Sequence, residues 1–242
     1  MEFLVQQLPR YADGAWITIQ LTVGGAALAF VLAMVIGILG TTRFWWARAI
    51  TTVFVETFRG IAALVVMFWF VFAFPDLTGF ELNPVFAAIL ALGLNVGAYG
   101  AEVVRAAINA VPRSQVEATV ALNYSWAQRM RLVILPQAWA QMLPTFGNLV
   151  IELMKATAVV YLVGIVDLTS VAQQIRSATG LTFLAFGVAF VLYYLLAQVL
   201  ILGMRTLESR ANRKLGRAPT SGGGILSLLR PPSIGTQVGV AK

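Results

Sequence analysis

The chain contains no cysteine and no histidine in 242 residues. The first absence excludes disulfides, thiolate metal sites and cysteine nucleophiles, and leaves the redox compartment unreadable. The second removes the commonest metal ligand and the side chain that most often carries protons near neutral pH. Charge is scarce too: Asp, Glu, Lys and Arg make up 11% of the residues against 59% hydrophobic, a balance foreign to soluble domains. No Walker A phosphate loop, internal repeat or soluble domain is recognisable, so ATP hydrolysis by this chain alone is not expected. The basic start of a cleavable signal is missing as well. Glu2 stands there, and the first apolar run is too long for a signal core. These exclusions leave an all-α integral membrane protein.

Five apolar stretches are long enough to cross a bilayer, which takes roughly 20 residues each. They run from about Ala15 to Gly40, Ala49 to Phe74, Pro84 to Ala107, Ala138 to Val166 and Leu181 to Met204. Residues 1–14 form a short mixed segment ahead of them. In the first stretch, Gly24-Gly25 and Gly37 allow another helix to come close. With the N-terminus outside, the cytoplasmic side holds 13 of the 17 Lys and Arg residues, against Arg10 and Arg176 outside. The positive-inside rule therefore predicts N-out and C-in. The net charge of +7 lies mostly in these loops, so it marks orientation and lipid contact, and no nucleic acid is expected. From about residue 205 a basic tail, rich in Gly, Ser and Pro beyond Gly216, is expected to be disordered.

Ionisable groups inside spans are costly and are functional candidates by default. Glu56 and Arg59 share a face of the second span. Asn95, Tyr99 and Glu102 fall at i, i+4 and i+7 on the third, with Arg105 close behind. Asn148, Glu152 and Lys155 repeat that spacing on the fourth. The two stripes either face each other across a central path for a small polar solute, or Glu152 and Lys155 simply pair and hold the bundle or a dimer seam together. Glu56 and Arg59 are placed nearer the cytoplasmic side, where an intrahelical bridge or contact with the neighbouring loop is expected rather than substrate binding.

The longest polar interruption, VEATVALNYSWAQRMRLVILP from Val116 to Pro136, predicts two short helices lying at an angle on the membrane surface. Pro112 and Ser114 supply a start, and Glu117 is placed in the first turn, where the helix dipole favours an acid. Ala118, Ala121 and Leu122 give a small apolar face. Asn123 can adopt the left-handed conformation that ends a helix, and Ser125 can cap the next. Leu135-Pro136 closes the segment.

Glu117-Ala118, Asn123 and Ile134-Leu135-Pro136 resemble the EAA loop of binding-protein-dependent ABC importer permeases. In that loop Glu-Ala-Ala is followed by a Gly and then by Ile-x-Leu-Pro. Thr119 replaces the second Ala, and Asn123 replaces the Gly. Over about residues 14–204 the likeness narrows to the polar amino acid branch. Its marks are Glu56-x-x-Arg59-Gly60, Ala98-Tyr99-Gly100-Ala101-Glu102-x-x-Arg105, Gln115-x-Glu117-Ala118, Leu135-Pro136-Gln137-Ala138 and Asn148-x-x-Ile151-Glu152-x-x-Lys155-Ala156-Thr157. Where the branch has Arg-Gly-Thr-Pro-Leu-Leu-Val-Gln, this chain reads Arg59-Gly60-Ile61-Ala62-Ala63-Leu64-Val65-Val66, which predicts a straighter second helix. Around Asn95, Asn148 and Asp167-Leu168-Thr169 it is most similar to ectoine and hydroxyectoine permeases.

The resemblance implies a type I importer permease fold in a bacterial inner membrane. It also implies a second permease subunit, identical or paralogous, and an extracytoplasmic binding protein delivering a small zwitterionic solute. A separate ATPase would carry the ATP and magnesium and would receive the loop of residues 108–136, with Glu117, Ala118, Asn123, Leu135 and Pro136 as coupling residues. This chain itself would need no cofactor and no metal. An ion-coupled secondary carrier or channel using Glu152 and Lys155 is the competing reading.

Overall fold

The computed structural model describes residues 2–214, which are helical throughout apart from short turns. Helix α1 (Glu2–Leu39) is followed by α2 (Trp45–Gly60), α3 (Ala63–Thr78), α4 (Pro84–Asn109), the short α5 (Arg113–Ala121), α6 (Trp126–Val163), α7 (Leu168–Thr179) and α8 (Thr182–Lys214). Four of these are long and apolar enough to span a membrane, and the bent pair α2–α3 makes a fifth. Residues 2–14, read from sequence as a separate segment, continue the first helix. Residues 205–214 likewise extend the last one, and the rest of the expected disordered tail lies outside the described residues.

The core forms where α1 lies along α4. Gly37 sits so close to its neighbour that a Cβ there would be 2.6 Å from Val104 Cβ and 2.7 Å from the Ala101 carbonyl oxygen. Between spanning helices, where lipid supplies no hydrophobic drive, such backbone proximity is what adds attraction. Gly37→Ala should therefore force α1 and α4 apart and cost about 1–3 kcal/mol, read as a lower melting temperature in detergent. Gly203→Ala, where a Cβ meets nothing within 4 Å, should leave melting unchanged or slightly raised.

At the end expected outside, α7 returns the chain between two spans and is fixed by a buried carboxylate. Asp167 is fully buried and caps α7: its carboxylate oxygens accept from Ser170 N at 2.9 Å and Thr169 N at 3.1 Å. The Tyr193 hydroxyl of α8 donates to the same group at 3.1 Å. Thr18 of α1 accepts from Leu168 N, and Arg10 donates to Gln174 at 2.7 Å, so α7 is tied to both flanking spans. Burial pushes the Asp167 carboxyl above its ordinary range, and the hydrogen bonds from Ser170, Thr169 and Tyr193 pull it back only in part. An acid whose folded-state pKa is raised binds more protons folded than unfolded. Its contribution is thus fully present below the usual value of 3.8 and is lost as pH rises through the folded value. Comparing melting of wild type with Asp167→Asn across that window should show the wild-type advantage shrinking as pH increases. A pH-independent difference would contradict the assignment.

The second span departs from the expected straight helix. Its two halves meet at 97°, with Ile61 (φ −107°, ψ 134°) and Ala62 (φ −62°, ψ 135°) in extended conformation. No proline is needed, because the carbonyls freed by the break receive a donor from elsewhere. The Asn95 side-chain amide of α4 donates to Phe58 O at 2.7 Å and to Ile61 O at 3.2 Å, and satisfied backbone is what a membrane interior demands.

Candidate functional site

Asn95 is thus placed on the break of α2–α3 and is engaged with backbone. One turn further along α4, Tyr99 is exposed and lies under the Arg59 guanidinium, whose central carbon is 5.2 Å from the ring centroid. The intrahelical Glu56–Arg59 bridge is not made. The one ion pair among the described residues joins Arg105 to Glu102 at 2.6 Å. Glu56 instead lines a cavity of about 210 Å³ with Arg48, Glu102 and Arg105, where α2 meets α4 near Gly40. Arg48 was not singled out from sequence beyond its charge, since nothing in its spacing marks it.

On α6, Asn148, Glu152 and Lys155 are all exposed, while Met142, Phe146 and Leu149 pack against Val104 and Ala33 of the core. Glu152 and Lys155 do not pair with each other, which removes the purely structural reading of the two as a bridge within one chain. No hydrogen bond or ion pair among the described residues joins this stripe to Asn95, Tyr99 and Glu102 either; the contact between α4 and α6 is apolar. Lys155 borders an open groove of about 440 Å³ with Phe190, Tyr193, Tyr194 and Gln198 of α8.

The 113–136 segment is partly as expected. Asn123 has φ 57°, the left-handed value, and no other non-glycine residue among those described has a positive φ. Ser125 forms a reciprocal capping box with Gln128. Three features differ. Pro112, not Ser114, is the N-cap of α5, with no side-chain bond, since the Pro112 carbonyl already receives Gln115 N and Val116 N. Glu117, the fifth residue of α5, lies in its second turn, away from the free N–H groups. Leu135-Pro136 ends nothing: a π turn over Met130–Ile134 runs directly into the spanning helix. Pro136 cannot donate four residues back, and the wider turn accommodates that missing bond.

What α5 presents outward is Glu117, Ala118, Ala121 and Leu122, all exposed, whereas Thr119 is buried with its hydroxyl donating to Val116 O at 2.6 Å. The substitution of Thr for the second Ala therefore faces inward. The Gln137 amide donates to Gln115 and to Val133 O, tying α5 to α6. Behind α5 a groove of about 530 Å³ is lined by Glu117, Arg113, Arg129 and Trp126 over an apolar floor.

Residues 17–214 match the family described as binding-protein-dependent transport system inner membrane component. The probable amino-acid ABC transporter permease protein y4tF of Sinorhizobium fredii is 40% identical over 84% of this chain and 87% of its own. The arginine transport system permease protein ArtQ of Bacillus subtilis is 31% identical over 85% and 94%. Among solved structures, an amino acid ABC transporter with histidines superposes with a TM-score of 0.78 at 28% identity, over 86% of this chain and 96% of that one. The methionine transporter MetNI, inward facing, shares the fold at 20% identity and a TM-score of 0.74. With five apolar crossings, this architecture and a family match over most of its length, the chain belongs to the inner-membrane components of binding-protein-dependent transport systems, the multi-pass permease subunits of ABC importers.

Proposed function

We propose that this chain forms the translocation path of an ATP-driven importer for a polar amino acid or amino-acid-like compatible solute, with ectoine or hydroxyectoine as the favoured solutes. It couples to a separate ATPase through residues 108–136. The observation that carries the reading is the pairing of two features in one fold. An α5 surface of Glu117, Ala118, Ala121 and Leu122 is exposed at the end expected in the cytoplasm, and two opposite charges, Glu152 and Lys155, are exposed on a span with no ion-pair partner among the described residues. The first suits a protein partner with a shallow groove, and the second suits a zwitterion. Membership of the family implies the ATPase and the binding protein, and it displaces the ion-coupled carrier as an explanation of Glu152 and Lys155.

The mechanism follows from the requirement that a ligand shifts an equilibrium only by its differential affinity. The ATPase must bind the α5 surface differently in the inward- and outward-facing states, and the polar residues on α4 and α6 then exchange access. Reconstitution with the ATPase and binding protein should give ATP-dependent uptake of a labelled amino acid or of ectoine. Replacing residues 117–123 with a Gly/Ser linker should release the ATPase from the purified complex. An intact chain that purifies without an ATPase would sink the reading.

A further inference from the structure

Within that reading, we propose that Arg59 is the anchor for the carboxylate of the solute, held ready by Tyr99 at the break of the second span. Depth comes first. Asn95, which caps the break, is 11 residues into a 26-residue helix, or about 16 Å along roughly 39 Å of α4 at 1.5 Å per residue. The break, and Arg59 two residues before Ile61, therefore lie near the middle of the membrane.

A charge at mid-depth is retained only against a partner or in a polar path. Arg59 has no acidic partner within 4 Å among the described residues. Glu56, the nearest acid on its own helix, faces the cavity of Arg48, Glu102 and Arg105 instead. What Arg59 has is the face of Tyr99 at 5.2 Å. A stacked guanidinium is oriented by the ring while its N–H edge stays free to take both oxygens of a carboxylate. Both residues are exposed, and a Cβ added at the adjoining Gly60 would meet nothing within 4 Å. The missing counter-charge is thus supplied by the cargo, and an α-carboxylate or the ring carboxylate of ectoine fits it.

The test uses the permease–ATPase complex in nanodiscs without the binding protein, so that the binding protein's own selectivity does not enter. The probes are the solute taken up best by the complete system, from a panel of labelled L-amino acids and ectoine, and the primary carboxamide of that solute. Wild type should bind the carboxylate at least tenfold more tightly than the amide. Arg59→Gln should bind the two alike, with the amide within about twofold of wild type, and Arg59→Lys should recover part of the preference. Tyr99→Leu should weaken carboxylate binding, and Tyr99→Phe, which keeps the ring, should not. Preference intact in Arg59→Gln overturns the proposal, and so does loss of both probes together, which marks a structural role. A complete wild-type system that takes up nothing from the panel overturns the importer reading itself, and the Arg59 proposal with it.

Discussion

A complex carrying Glu117→Lys should insert and fold normally, yet show no ATP hydrolysis in response to loaded binding protein. Folding survives because Glu117 is exposed and makes no hydrogen bond or ion pair among the described residues, and surface substitutions of this kind change stability by no more than about 0.5 kcal/mol. On the proposed coupling role, hydrolysis is lost because α5 holds its orientation through other residues. Val116 and Thr119 face inward, and Gln115 is fastened to Gln137, so the reversed charge is presented at the same place. Like charges set against each other in an interface cost several kcal/mol, a loss of about 100-fold or more. Melting temperature, copurifying ATPase and stimulated hydrolysis measured on one preparation separate the effects. Stimulated hydrolysis within about threefold of wild type would remove Glu117 from the coupling surface.

The second large effect is expected at Asn95. Asp has the same shape, but when ionised it has no N–H to offer, so Asn95→Asp turns a double donor into an acceptor facing the Phe58 and Ile61 carbonyl oxygens. Two carbonyls left without a partner cost about 1–3 kcal/mol each, and the break should shift or close, lowering the melting temperature and abolishing uptake. Acid should partly restore both, since a protonated carboxyl can donate one bond again. If Asn95 merely touched solute, the substitution would change apparent affinity and leave melting alone. Unchanged melting would therefore refute the capping role.

The features that could be read in advance were those written locally. The left-handed turn at Asn123 and the cap at Ser125 each depend on one residue and its immediate neighbours, and the close approach at Gly37 needs only the missing side chain. The break after Gly60 could not be read this way. Local sequence there, without proline, favours a continuous helix, and the group that stabilises the gap is an amide 34 to 37 residues further on. The continuity through Pro136 was hidden for the converse reason: proline reads as a stop, and the π turn that absorbs it has no signature of its own. Among site residues, type and spacing located the charged positions correctly on their helices but could not assign partners. Glu56 with Arg59 and Glu152 with Lys155 look like bridges at those spacings, yet the side chains turn elsewhere.

Helix α6 runs as one span from Trp126 to Val163 over 38 residues, passing through the π turn at Met130–Ile134 and ending in a 3-10 stretch over Thr157–Val163. One end begins at the Ser125 cap beside the α5 surface, and the other half carries Asn148, Glu152 and Lys155. The span is packed along both halves, with Met142 and Phe146 in one buried cluster and Leu153 and Val160 in another. On the proposed function, the α5 surface and the polar stripe would therefore move as parts of one packed span, with no separate linkage between them.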